Sequence, residues 1–115
     1  MNILLKVTAT ALMALSIPVA QAMDGSDLLA GYNSYKRVKA GIAAGADAYA
    51  GGQFDGYVSG IFDSAVGLVL CAPGDVKNGQ IQEAVGQFLD THPATRQRSA
   101  VLLATQALMQ AFPCK

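Results

Sequence analysis

The chain has 115 residues, eight lysines and arginines against eight aspartates and glutamates, two cysteines and one histidine. A formal net charge of zero gives no basic footprint for nucleic acid or an anionic membrane, and no long acidic block either. With its two cysteines in a disulfide, one histidine is too few soft ligands for a zinc site, and no cofactor or metal is expected.

The chain opens with one lysine, Lys6, then an uncharged run from Val7 to Ala20, then Ala20-Gln21-Ala22. That order is the grammar of a secretory signal peptide, residues 1–22, cleaved after Ala22 at the A-x-A step. The uncharged run is short for a bilayer span, which needs about 20 apolar residues. Residues 23–115 then form one exported domain. Lys6 is the one charge lost, so seven basic residues face eight acidic ones. A domain of this size builds a core without much surplus stability.

Apolar spacing in the exported part is helical throughout, with no stretch of strict alternation. A first helix is expected from about Ser26, a good N-cap, with Leu28, Leu29, Tyr32, Tyr35 and Val38 on one side. The stretch "KAGIAAGADAYAGGQ" is rich in small residues, and Gly51-Gly52 is its expected break. A central helix follows in "QFDGYVSGIFDSAVGLVL", with Phe54, Tyr57, Val58, Ile61, Phe62, Ala65 and Val69 at three- and four-residue steps. Pro73-Gly74 and Asn78-Gly79 are turn signals. A third helix from about Gly79 to Asp90 carries Ile81, Val85, Phe88 and Leu89 on one stripe. Pro93 ends it and suits N1 of a fourth helix, which runs to about Phe112 with Val101, Ala104, Leu108, Ala111 and Phe112 inward. The predicted fold is all-α, a compact bundle of four to five short helices with one disulfide.

That disulfide joins Cys71, at the end of the central helix, to Cys114 at the end of the last. Both lie in the exported part, where an even pair reads most simply as one bond. A redox-active pair is the sharper alternative, but the C-x-x-C spacing that lowers a thiol pKa is missing.

Chemistry is sparse. His92 precedes Pro93 between two helices, a place that suits capping or corner packing better than catalysis. Asp55 and Asp63 share one region of the central helix without a nearby histidine or lysine, so a solvated face is the simpler reading. Gly56 and Gly60 form a G-x-x-x-G, which in a soluble bundle lets two helices approach closely, within the chain or between subunits; the internal contact is expected. Arg96 and Arg98 fall early in the predicted fourth helix, where positive charge opposes the dipole; that points to an anionic partner, but an ordinary solvated face is the simpler reading. No catalytic residue is assigned, and an enzyme is not expected.

The motifs "GYVSGIFD", "LCAPGDVKNGQ", "VGQFLDTHPATRQRSAVLLATQAL" and "AFPC" appear in that order from Gly56 to Cys114. Together, with "DLLAGY" matching more loosely near the front, they resemble the Rap/Tai immunity family, periplasmic helical proteins that neutralise type VI secretion amidase effectors. The family pattern often carries two further cysteines, at places held here by Tyr32 or a neighbour and by Phe54. The resemblance implies a periplasmic immunity protein that occludes a peptidoglycan amidase, acting as a dimer and without chemistry of its own. On this chain the inserting element is expected in the loop Pro73–Gly79: Pro73, Gly74, Asp75, Lys77 and Asn78, pinned at its base by the disulfide. The structural alternative makes that loop a plain helix connection. The functional alternatives are a small periplasmic chaperone or adaptor, or an envelope protein without a toxin partner.

Overall fold

A computed structural model describes residues 22–115. The expected signal segment, with Ala20 of its cleavage site, lies outside the described residues except for Ala22. Four α-helices follow in order: α1 (Gly25–Lys39), α2 (Asp47–Ala65), α3 (Asn78–Thr91) and α4 (Ala100–Ala111), with a 3-10 turn at Pro93–Thr95 before the last. No strand occurs among the described residues; two isolated bridges join Asp24 to Ser99 and Val66 to Leu70. None of the described helices is long and apolar enough to cross a membrane.

α1 starts earlier than Ser26. Its cap is Asp24, which accepts from the Asp27 N–H at 2.9 Å while Asp27 accepts from the Asp24 N–H at 3.2 Å. Two acids three residues apart satisfy two orphan donors reciprocally, which a cap at Ser26 with Leu29 at N3 cannot do. The helix ends on Lys36, Arg37 and Lys39, favourably placed for its dipole. Gly41 then takes φ +74°, its N–H reaches the Val38 carbonyl and the Ile42 N–H reaches that of Arg37. This is a Schellman stop, and it needs the left-handed residue at Gly41.

The expected break at Gly51-Gly52 is absent, and α2 runs straight through it from Asp47. The reason lies across the bundle. A Cβ at Gly51 would sit 3.0 Å from the Tyr35 backbone, and one at Gly31 would sit 3.0 Å from the Phe54 Cβ. α1 and α2 therefore touch nearly backbone to backbone, and that close packing offsets the glycine's poor helix propensity. The pair Gly56 and Gly60, expected to make an internal contact, has nothing within 4 Å of either built Cβ. Close approach uses Gly31 and Gly51 instead.

α2 also stops short of Leu70. Gly67 adopts φ +82°, the Ala65 carbonyl takes the N–H groups of Leu68 and Val69 at 3.0 Å, and Leu70 folds back to become fully buried. Val69, expected inward, is 49% exposed as a result. The fourth helix is shorter than its periodicity suggests. Pro93 opens the 3-10 turn, and residues 96–100 hold the segment Met23–Ser26 by backbone bonds from Gly25 to Arg98 (3.0 Å), Ser26 to Arg96 (3.1 Å) and Ala100 to Met23 (2.9 Å). Starting α4 at Ala100 leaves Ala104 and Leu108 buried, as expected, but puts Val101 and Ala111 on the exposed side.

This shift reverses the meaning of Arg96. It does not lie in a first helical turn. Its guanidinium donates to the carbonyls of Leu89 at 3.0 Å and Asp90 at 3.1 Å, near the C-terminal end of α3. Positive charge there complements the dipole and satisfies carbonyls that would otherwise go unpaired.

The core gathers Leu28, Tyr32, Phe54, Val58, Leu70, Val85, Leu89, Leu103 and Leu108 from all four helices and the turn after α2. Cys71 and Cys114 form the expected disulfide, with Cα atoms 4.8 Å apart, and the Cys71 N–H adds a 2.9 Å bond to the Phe112 carbonyl. Phe62 meets Phe112 edge to face at 5.9 Å, so the ends of α2 and α4 are joined by covalent, polar and aromatic contacts together.

Candidate functional site

The segment from Cys71 to Asn78 links α2 to α3 and is fastened at both ends. At its start the disulfide and the Cys71–Phe112 bond hold it to the end of α4. At its far end the Asn78 side chain accepts from the Ser59 hydroxyl and donates to the Asp55 carboxylate, both at 2.9 Å. The Lys77 N–H is taken by the Gln80 side chain at 2.8 Å. In between, the Val76 N–H bonds the Pro73 carbonyl at 3.2 Å, and Val76 packs half-buried against the core.

Beneath Asn78 lies a polar network. Gln82 on α3 is fully buried, and its amide donates to the Asp55 carbonyl at 3.1 Å, the Ser59 hydroxyl at 3.0 Å and the Asp55 carboxylate. Asp55 is thus bonded to α3 and is not simply solvated, while Asp63 is exposed. The arrangement fixes the loop's exit and leaves no carboxylate pair poised for acid–base work.

Pro73, Gly74, Asp75 and Lys77 point to solvent. Asn78 is exposed too, yet its side chain is already engaged by α2. The segment forms a ridge between two clefts of similar size, with Gln80 on the wall of both. One, of about 610 Å³, lies toward the disulfide and is walled by Pro73, Val76, Phe112 and Pro113, with Asp75 and Lys115 alongside. The other, of about 590 Å³, lies toward the end of α1 and is lined by Tyr32, Tyr35, Lys36, Lys39, Lys77 and Glu83.

His92 stands at the opposite corner of α3. Its ring stacks on Phe88 with centroids 4.0 Å apart, and its Nδ1 lies 2.7 Å from the Phe88 carbonyl. Such a histidine closes a helix end. Among the described residues no group of three or more His, Cys, Asp or Glu side chains is placed to hold a metal ion.

The clefts contain residues that sequence reading put only in the helix interior. Tyr32 and Tyr35 were expected inward, and both do pack, but each also carries a lysine four residues later, in "YNSYKRVK". That i, i+4 spacing of ring and ammonium is the signal that marks this cleft.

The tethered segment is exposed and lies between the two clefts. Residues 24–114 match the family model for Rap1a immunity proteins. The chain belongs to the Rap1a immunity protein family. The match spans all four helices and ends on Cys114, so ridge, clefts and disulfide all lie inside the Rap1a domain. No curated protein and no solved structure matches the chain. Membership supports an immunity role and the binding of a partner effector.

Proposed function

We propose that the chain is a periplasmic immunity protein that binds a secreted peptidoglycan amidase and occludes its active-site cleft. The observation that carries this reading is the ridge at Pro73–Lys77, exposed and held at both ends, inside a Rap1a domain. A loop already ordered before binding loses little conformational entropy when it enters a cleft. Inhibition of this kind asks for shape and for exclusion of water from the amidase, and no chemistry from the inhibitor. The disulfide accords with export through the signal peptide.

A homodimer presenting two ridges fits the same reading. α4 carries no charged residue, and its exposed side offers Val101, Leu102 and Met109, a face suited to a second copy.

The test is inhibition of candidate peptidoglycan amidases, followed by release of cleaved stem peptide. Stoichiometric inhibition by the exported protein, lost on replacing Pro73–Lys77 with a Gly/Ser linker, is the expected result. Full amidase activity in the presence of excess folded protein would refute the reading.

A further inference from the structure

We infer that the cleft between the end of α1 and the start of α3 is a second docking site, which receives an acidic segment of the partner protein beside the inserting ridge. The inference rests on the immunity reading and adds to it a place and a chemistry of recognition.

Three lysines line the cleft, Lys36, Lys39 and Lys77, against one acid, Glu83. The chain as a whole is neutral, so this excess of cations is a local arrangement. None of the three has a carboxylate within ion-pair distance: Arg37–Asp47 is the salt bridge found among the described residues, and every acid of the chain lies among them. The lysines are also partly ordered. Lys36 Nζ stands 4.7 Å from the centroid of the Tyr32 ring and Lys39 Nζ stands 5.9 Å from that of Tyr35. Ammonium groups drawn over aromatic faces lose less freedom when an anion arrives.

The cleft supplies neutral donors as well. The backbone N–H of Gly79, in the first turn of α3, donates to no acceptor among the described residues, and neither do the hydroxyls of Tyr32 and Tyr35. Burial pushes both phenols above their ordinary pKa, with nearby acids adding to the effect, so both stay protonated. A floor of two aromatic rings under a cationic rim fits a segment that alternates carboxylate and apolar side chains. Charge complementarity of this type sets register and speeds encounter. Because Lys77 belongs to both ridge and cleft, a partner whose acidic segment is seated here also has its own cleft positioned over Pro73 and Asp75.

The experiment titrates the isotope-labelled exported protein with an end-blocked peptide, Glu-Leu-Asp-Phe-Glu, and with its uncharged counterpart Gln-Leu-Asn-Phe-Gln, reading amide chemical shifts. The expected result is saturable shifts centred on Tyr32, Tyr35, Gly79 and Gln80 with the acidic peptide alone, weakening as salt rises. Equal shifts with both peptides, shifts centred elsewhere, or none in the millimolar range would overturn the inference. So would binding confined to a D-alanine-terminated wall stem peptide, which would make the cleft a site for free carboxylates. A second arm measures affinity for the cognate amidase. Combined Lys36→Gln, Lys39→Gln and Lys77→Gln replacement is expected to weaken it by about tenfold or more, chiefly at low salt, with the helical circular dichroism spectrum retained at the assay temperature. Binding of amidase by wild type with no loss in the triple variant sinks the cleft but leaves immunity standing. Failure of wild type to bind any amidase removes the immunity reading itself, while the peptide arm still reports on the cleft.

Discussion

Tyr32 and Phe54 lie with ring centroids 5.4 Å apart and ring planes inclined at 47°, joining α1 to α2. The resemblance associates a second cysteine pair with Tyr32 or a neighbour and with Phe54; on this chain an aromatic contact joins the two helices there. Tyr35 completes the cluster at 5.5 Å from Phe54. Phe54 is 2% exposed and therefore carries the junction. Replacement Phe54→Ala is expected to destabilise the protein by roughly 3–5 kcal/mol, the usual cost of emptying a buried aromatic site. Urea unfolding with an unchanged m-value checks it.

Glycine substitutions should act in opposite directions at two helical sites. A Cβ at Gly86 on α3 would fall 2.2 Å from the Tyr32 ring, which is wedged between α1 and α3. Gly86→Ala is expected to cost about 1–3 kcal/mol, because overpacking forces the ring or the helix to move. At Gly60 on α2 nothing lies within 4 Å, and Gly60→Ala should stabilise by about 0.5–1 kcal/mol through helix propensity alone. Thermal melts of the two variants separate these outcomes. If Gly60→Ala stabilises the protein yet weakens amidase binding, that open face touches the partner.

The disulfide closes a segment 43 residues long in sequence separation. The chain-entropy model assigns such a loop about 4 kcal/mol as an upper figure. Reduction, or the double change Cys71→Ser and Cys114→Ser, should therefore lower the melting temperature markedly. It should also loosen the ridge, because Cys71 is its first residue. Limited proteolysis is expected to cut first within Pro73–Lys77 in the reduced protein and not in the oxidised one. Equal melting temperatures with and without reductant would contradict the role given to the bond.

Acid stability has one identifiable contributor. The Arg37 guanidinium donates to both Asp47 oxygens, at 2.9 and 2.8 Å, and the Ala44 N–H and Ser34 hydroxyl add bonds at 3.1 and 2.9 Å. Together these hold the Asp47 carboxyl well below the usual carboxylate range. Between that depressed value and the unfolded value of about 3.9, the unfolded chain binds the extra proton, so stability rises with pH. The contribution is fully present above about pH 4 and is lost as pH falls further. The melting-temperature gap between wild type and Asp47→Asn should therefore shrink steadily below about pH 4. A gap that stays constant down to pH 2 would show that the effect of the substitution does not come from charge.

The all-α class, the third helix and the pairing of Cys71 with Cys114 were legible in the sequence. Each follows from sequence alone: apolar residues repeating every three or four positions, proline after His92, and an even pair of cysteines in a chain whose opening reads as a signal peptide. Ile81, Val85, Phe88 and Leu89 are all buried where their spacing put them. The connection between α2 and α3 was visible as a segment as well, since Pro73-Gly74 and Asn78-Gly79 mark a turn in any context.

Helix limits and the clefts were decided only by the tertiary structure, because each depends on a partner distant in sequence. Gly51 stays helical since it meets the Tyr35 backbone across the bundle, a contact that no local propensity contains. Arg96 reads as misplaced charge until the C-terminal end of α3 is brought to it. The lysine cleft needs the last turn of α1 and the first turn of α3 side by side, from residues about 40 positions apart. Periodicity records which face of a helix avoids water; which other surface meets that face is set by packing all four helices at once.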